Sequence, residues 1–345
     1  MLINGTSQLA EQAAPARVVA QPAASTRLNW AMAVLSGWFV GGLFLDGWAH
    51  NHHRVDNTFF TPWHAVFYSG FLAVALLVLG AAAMSLLRGR AWLQAAPAGY
   101  ELALLGVPLF AFGGVFDLIW HQMFGFEVGI EPLLSPSHLL LATGMAMIVS
   151  APLRAAGRNG AAGGVRGRLP ALLALIWALS VMTFLTQFAN PFVDVWASTT
   201  DAGILGHAMG VAGVLVQSAL LVGATLFALR RGLLLPGGVT LLFTLNALLM
   251  ATQHDTYALL PAALLAGIFG DVLVFALRPA YLRPLALRVF SFALPAALYL
   301  IYFLLLKARG ELVWSTNLWT GAAMLVGVVG LLLSFVAVPQ PSLRD

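Results

Sequence analysis

Apolar runs of about twenty residues alternate along the chain with short polar joints, a pattern of spanning helices rather than of soluble elements. The runs fall near 30–50, 62–87, 100–120, 136–153, 170–190, 204–229, 233–253, 257–277, 285–306 and 313–338. Runs of this length cross a hydrocarbon core of about 30 Å as helices. Backbone groups in lipid must bond within their own segment, so continuous runs predict helices. The alternating segments of roughly ten residues that mark barrel strands are missing. The expected fold is all-α, a polytopic transmembrane bundle of about ten spans built from repeated helical hairpins. Residues 1–28, rich in Ala, Pro, Gln and Ser, read as a disordered cytoplasmic tail without the apolar core of a signal peptide. Residues 29–155 then hold spans one to four, and residues 169–338 hold the rest.

Composition sharpens this picture. Of 345 residues, 60% are hydrophobic and only 9% charged, with mean hydropathy +0.89. A soluble domain carries roughly 25% charged residues, so the lipid bilayer is the main solvent. The net charge of +4 reports topology, not nucleic-acid binding. With the N-terminus placed in the cytoplasm, fourteen Arg fall inside and only Arg54, Lys307 and Arg309 fall outside. That asymmetry follows the positive-inside rule and puts both termini in the cytoplasm. Sixteen Arg to one Lys, with abundant Ala, indicates a GC-rich bacterial gene and hence a bacterial cytoplasmic membrane. The chain has no Cys, which excludes disulfides, iron–sulfur clusters and thiolate sites.

The chemistry gathers at the opposite end. All eight His, namely His50, His52, His53, His64, His121, His138, His207 and His254, fall at outer span ends or outer loops. Nine acidic residues join them, including Asp46, Asp56, Asp117, Glu127, Glu131, Asp194 and Asp255. Two hairpins repeat a pattern. GGLFLDGWAH leads through a loop to FFTPWHAVFYSG, and GGVFDLIWH leads to LLSPSHLLLATG. Each gives Asp-x3-His at a helix end and a second His early in the returning helix. Residues four apart share a helix face. Thr61-Pro62 and Ser135-Pro136 look like N-caps followed by Pro at N1, which brings His64 and His138 back to the interface. Asp46, His50 and His64 form one expected metal set, and Asp117, His121 and His138 the other. Two imidazoles and a carboxylate suit copper, zinc or non-haem iron, and ligand type alone does not choose. His207, His254, Asp255 and Glu127 are possible additional ligands. Intramembrane ionisable groups are costly, which makes all of these functional candidates. Asp271 is expected to pair with Arg278, and Glu101 to serve a helix N-terminus.

The stretch DGWAHNHHRVDNTFFTPWHAVFY resembles the C subunit of the copper membrane monooxygenases, the particulate methane and ammonia monooxygenases. The stretch DLIWHQMFGFEVGIEPLLSPSH resembles the next metal-site region of that family, with Asp117 standing where the family has Asn. The likeness covers roughly residues 42–145. It implies copper at both sets. If the protein is an enzyme, it implies O2-dependent hydroxylation of a small apolar molecule or ammonia, in a pocket walled by Trp48, Phe59, Trp63 and Phe124. Other membrane subunits or a homo-oligomer would be the partners. The residues themselves also admit a metal-ion transporter, a metal-handling or assembly protein, and a haem-binding protein.

Overall fold

The computed structural model describes residues 22–55, 61–91, 94–125, 129–159, 164–201 and 203–337. Among these the chain is all-helical, with no strand and one isolated bridge between Ala280 and Arg283. The helices run α1 (Thr26–Asn51), α2 (Pro62–Leu87), α3 (Glu101–Phe124), α4 (Glu131–Leu134), α5 (Pro136–Val149) and α6 (Ala151–Asn159). They continue as α7 (Gly164–Leu185), α8 (Gly203–Arg230), α9 (Gly238–Ala251), α10 (Leu260–Leu277), α11 (Pro284–Ala308) and α12 (Thr316–Ala337).

Eight helices are long and apolar enough to cross a membrane, counting α10 together with the turn before it. The protein is therefore a multi-pass helical membrane protein. Two of the ten expected spans differ from a plain crossing. The fourth is a pair, α5 and α6, bent by 40°. Pro152 lies just past the bend and cannot donate to the Ile148 carbonyl, which breaks the helical ladder there. The seventh is α9, whose 14 residues rise only about 21 Å. Helix α1 starts at Thr26, capped by the Ser25 hydroxyl accepting from Leu28 N. The last residues of the expected tail are thus folded, and Pro22 O accepts from Ala98 N.

Sequence-adjacent helices pack as hairpins, α1 on α2, α3 on α5, α9 on α10 and α11 on α12, while α7 touches α1, α5, α6, α8 and α9. The first two hairpins cross by the same device. A Cβ on Gly70 would sit 2.7 Å from Phe39 Cα, and one on Gly144 would sit 2.9 Å from Phe110 N. In the sequence both glycines lie six residues after the second His, and both phenylalanines lie seven before the Asp. The repeat thus extends to Phe-x2-Gly-x3-Asp-x3-His and His-x5-Gly. Small residues let spanning helices approach closely where lipid offers no hydrophobic drive. Phe39 and Phe110 then meet edge to face at 5.0 Å, joining the two hairpins through equivalent residues.

Asp271 does not pair with Arg278 as expected. It accepts from Val239 N at 3.1 Å, Thr240 N at 2.9 Å and Thr240 Oγ1 at 2.6 Å. The first amides of α9 have no partner within their own helix, and a carboxylate answers both that need and the helix dipole. Glu101 sits in the first turn of α3 as expected and also pairs with Arg158 at 2.6 Å.

Candidate metal centre

Six sequence-predicted ligands converge as two trios, each with ligand atoms within 4.8 Å of one another. Asp46 and His50 stand one turn apart at the end of α1, and His64 enters from the first turn of α2. Asp117 and His121 occupy the same places at the end of α3, and His138 enters from α5. Thr61 is the N-cap of α2, its hydroxyl accepting from His64 N at 3.1 Å and lying 3.0 Å from His64 Nδ1. Ser135 holds the N-cap position of α5 but makes no side-chain cap bond. Its Oγ turns to His138 Nδ1 at 2.9 Å. The same two-residue signal therefore meets a ring nitrogen in both repeats, but Thr61 meets the Nδ1 of His64 that also faces Asp46, whereas Ser135 leaves Nε2 of His138 to face Asp117.

In the second trio, Asp117 Oδ1 lies 3.5 Å from His121 Nε2 and 3.2 Å from His138 Nε2. The Asp117 side chain is only 2% exposed. Oδ1 is sealed from solvent without a hydrogen bond of ordinary geometry. His121 Nδ1–H donates to Gly125 O at 3.2 Å, which leaves the neutral ring a bare lone pair on Nε2. Metal-binding imidazoles are usually held by such a bond at the other ring nitrogen. Donor atoms on a four-coordinate ion with bonds of about 2.0–2.1 Å stand about 3.3–3.4 Å apart. The two separations from Asp117 Oδ1 lie close to that spacing, so the residues fit a small divalent transition metal.

The first trio is looser. His64 Nδ1 lies 3.3 Å from Asp46 Oδ1, and His50 Nε2 lies 3.9 Å from Asp46 Oδ2. Asp46 Oδ1 is likewise sealed without an ordinary hydrogen bond. The two sets feel each other's charge, Asp46 with His138 and Asp117, and His50 with His121 and His138. Tyr68 lies between them. It stacks on His64 at 6.3 Å and is within electrostatic reach of both carboxylates. A Cβ on Gly114 would lie 3.0 Å from its hydroxyl. Position 142 is its counterpart in the repeat and carries Ala, so Tyr68 breaks the symmetry.

The other candidate residues stand apart from the trios. His254 Nδ1 lies 3.3 Å from Asp194 Oδ1, and His52 Nε2 lies 2.9 Å from Asp255 Oδ2. His207 has its ring against Trp314 at 6.2 Å. Glu127, Asp56 and Phe59 lie outside the described residues. Of the expected pocket walls, Trp48 and Trp63 meet edge to face at 5.8 Å, while Phe124 is exposed and packs on Trp120. Burial by itself does not pull His254 up. The Asp194 carboxylate bonded to it holds its pKa above the ordinary histidine value, against the opposing effect of burial.

Sequence reasoning missed Gln253, which is fully buried in the turn after α9. Its Nε2 donates to Phe44 O in α1 at 2.9 Å, and its Oε1 accepts from Asn51 Nδ2 at 3.3 Å. Gly47 leaves the room, since a Cβ there would lie 2.7 Å from Gln253 Oε1. The α1 end that carries Asp46 and His50 is thereby locked to the second half of the chain. Nothing near residue 253 in the sequence announces a partner two hundred positions away. Compared with known proteins, the chain matches no family model, no curated protein and no solved structure.

Proposed function

We propose that the protein is a copper-binding membrane protein related to the C subunits of the copper membrane monooxygenases, with Asp46/His50/His64 and Asp117/His121/His138 as its metal ligands. The observation that carries this reading is the convergence of Asp117 Oδ1 with two imidazole nitrogens at 3.2 Å and 3.5 Å. It is strengthened by the recurrence of the same Asp-x3-His and His arrangement in the first hairpin. Copper at such a site would supply one-electron redox chemistry toward O2. The chain's own residues hold and orient the ion. The Ser135 hydroxyl and Gly125 carbonyl fix the rings of His138 and His121 at the nitrogens turned away from Asp117. If the site is catalytic, the reaction class is hydroxylation of a small apolar molecule or ammonia, with reducing equivalents from a partner subunit or quinone.

In this reading the chain has ten spans in a bacterial cytoplasmic membrane, with α9 and the bent α5–α6 pair as crossings and the histidine end outward. The arginine asymmetry supports that orientation. Haem binding is less well supported, because each pair of imidazoles shares its site with a carboxylate, a donor set that suits a small metal ion better than a macrocycle. The test is metal analysis with EPR on purified protein, comparing wild type with His64→Ala and His138→Ala. Copper near stoichiometric amounts, lost or halved in the variants, is the expected result. Protein that stays metal-free after copper loading overturns the reading.

A further inference from the structure

A cluster of charge that the trios do not use stands where α8 and α12 end and α11 begins. The turn between α10 and α11 folds back on the last turns of α8. Tyr281 Oη reaches Leu226 O at 3.5 Å, and the Arg230 guanidinium lies over the Tyr281 ring at 5.7 Å. Leu226 and Leu287 are buried beneath this turn, in a small apolar island separate from the main core. Arg283 holds the N-cap position of α11, two residues after Tyr281. Arg288 follows Leu287 and lies over the Phe335 ring of α12 at 4.2 Å.

Three arginines thus border one island, and the protein answers none of them. Their guanidinium groups neither donate a hydrogen bond to another described residue nor pair with a described carboxylate, and Arg288 Nε is sealed from solvent without a partner. The carboxylates that could serve are engaged elsewhere. Glu101 takes Arg158, Glu311 takes Arg309, and Asp271 on α10 is bonded to the first amides of α9. A guanidinium is a planar fork of donors that pairs best with the oxygens of a phosphate or a carboxylate.

The surroundings choose between a dissolved anion and a lipid. Leu282, 95% exposed, and Leu285, 74% exposed, stand either side of Arg283 in the chain, and Val336, 84% exposed, follows Phe335. A free anion would gain nothing from these side chains, whereas acyl chains would cover them. We infer that this corner binds an anionic phospholipid. The headgroup phosphate accepts from Arg230, Arg283 and Arg288, and the acyl chains lie along Leu282 and Leu285. Arginine is common at span ends. This group is distinguished by gathering on one island, with two members stacked on aromatic rings and no described acid paired with any. Basic pockets between spanning helices are the sites that such headgroups occupy.

Native mass spectrometry of the full chain tests this, after equilibration in detergent with phosphatidylglycerol or with phosphatidylcholine of the same acyl chains. Wild type is expected to retain phosphatidylglycerol in preference, because the choline cation cancels the charge that the arginines attract. Each arginine beside a phosphate is worth about fivefold, so Arg230→Gln with Arg283→Gln should weaken phosphatidylglycerol binding about twentyfold. Both residues are exposed, and the melting temperature in lipid-free detergent checks that the double variant is folded. Arg88→Gln, at the end of α2, should leave the affinity unchanged. Equal retention of the two lipids by wild type overturns the inference, and that comparison needs no variant. Phosphatidylglycerol affinity that survives the double substitution overturns it too. Displacement of the lipid by an equal concentration of inorganic phosphate would mark a site for a dissolved anion and likewise overturn it. The outcome does not depend on whether the trios bind metal.

Discussion

Asp46 and Asp117 occupy equivalent positions in the repeat, yet their surroundings differ, and the difference sets what each variant should do. Asp117 faces two imidazoles whose far nitrogens are held by Gly125 O and Ser135 Oγ, whereas His50 stands 3.9 Å from Asp46. Outer hydrogen bonds of this kind are typically worth 10- to 100-fold in metal affinity. Ser135→Ala is therefore expected to weaken copper binding at the second set by about that factor, read by competition against a calibrated chelator. An unchanged affinity would mean that the Ser135 hydroxyl does not position His138 for a metal. The His254–Asp194 pair gives a second prediction at this scale. The carboxylate raises the pKa of His254 in the folded state, so the folded protein holds the proton more tightly than the unfolded chain. The resulting stability is fully present below the unfolded histidine value of about 6.5 and is lost as pH rises through the raised folded value. The melting temperature of wild type should exceed that of Asp194→Asn most at about pH 6, and the gap should close by about pH 9. A gap that widens with pH would contradict the pairing.

Helix contacts decide where those residues point. The first two hairpins cross where Gly70 meets Phe39 and Gly144 meets Phe110 at backbone distance. Each added methyl would have to push two backbones apart, and overpacking of this kind costs about 1–3 kcal/mol. Gly70→Ala and Gly144→Ala should both lower the melting temperature in detergent, and Gly41→Ala, with open space around it, should not. The α1 end depends on a different element. Gln253 grips the Phe44 carbonyl and Asn51 from the turn after α9. Gln253→Leu keeps the bulk but removes both bonds. It is expected to loosen the Asp46/His50 end and to weaken copper binding at the first set while sparing the second. EPR of the His138→Ala background would isolate that effect, and a signal identical to the parent would rule out a positioning role.

Across the whole molecule, the separation of arginine from histidine along the chain is what the proposed orientation rests on, and it needs no contact to be known. Single cysteines replacing Arg54 or Arg309 should react with an impermeant maleimide in intact cells, while cysteines at Arg88 or Arg231 should react only after lysis. The reverse pattern would invert the topology and put the trios on the cytoplasmic side. The six trio residues, the hairpins that carry them and the helix caps beneath them were legible in the sequence, because all are local. Residues one helical turn apart share a face, and a short loop must return the chain beside itself. The shape of the α5–α6 pair and the brevity of α9 were less legible. Hydropathy measures how apolar a run is and registers neither a proline break nor where the ladder stops. Asp271 was misjudged for a related reason, since the unpartnered amides of α9 compete for a carboxylate more effectively than a distant guanidinium.

The sequence by itself determined the membrane solvent, the helical class and the two Asp/His/His sets, because hydropathy and short-range spacing act within one or two helices. Only the tertiary structure decided what lies between the sets and behind them. Tyr68 within reach of both carboxylates, Gln253 gripping α1 and Phe39 meeting Phe110 all depend on how helices distant in the chain come to rest against one another. That arrangement is fixed by close packing at small residues and by the cost of leaving buried backbone groups without partners, neither of which leaves a periodic trace along the chain.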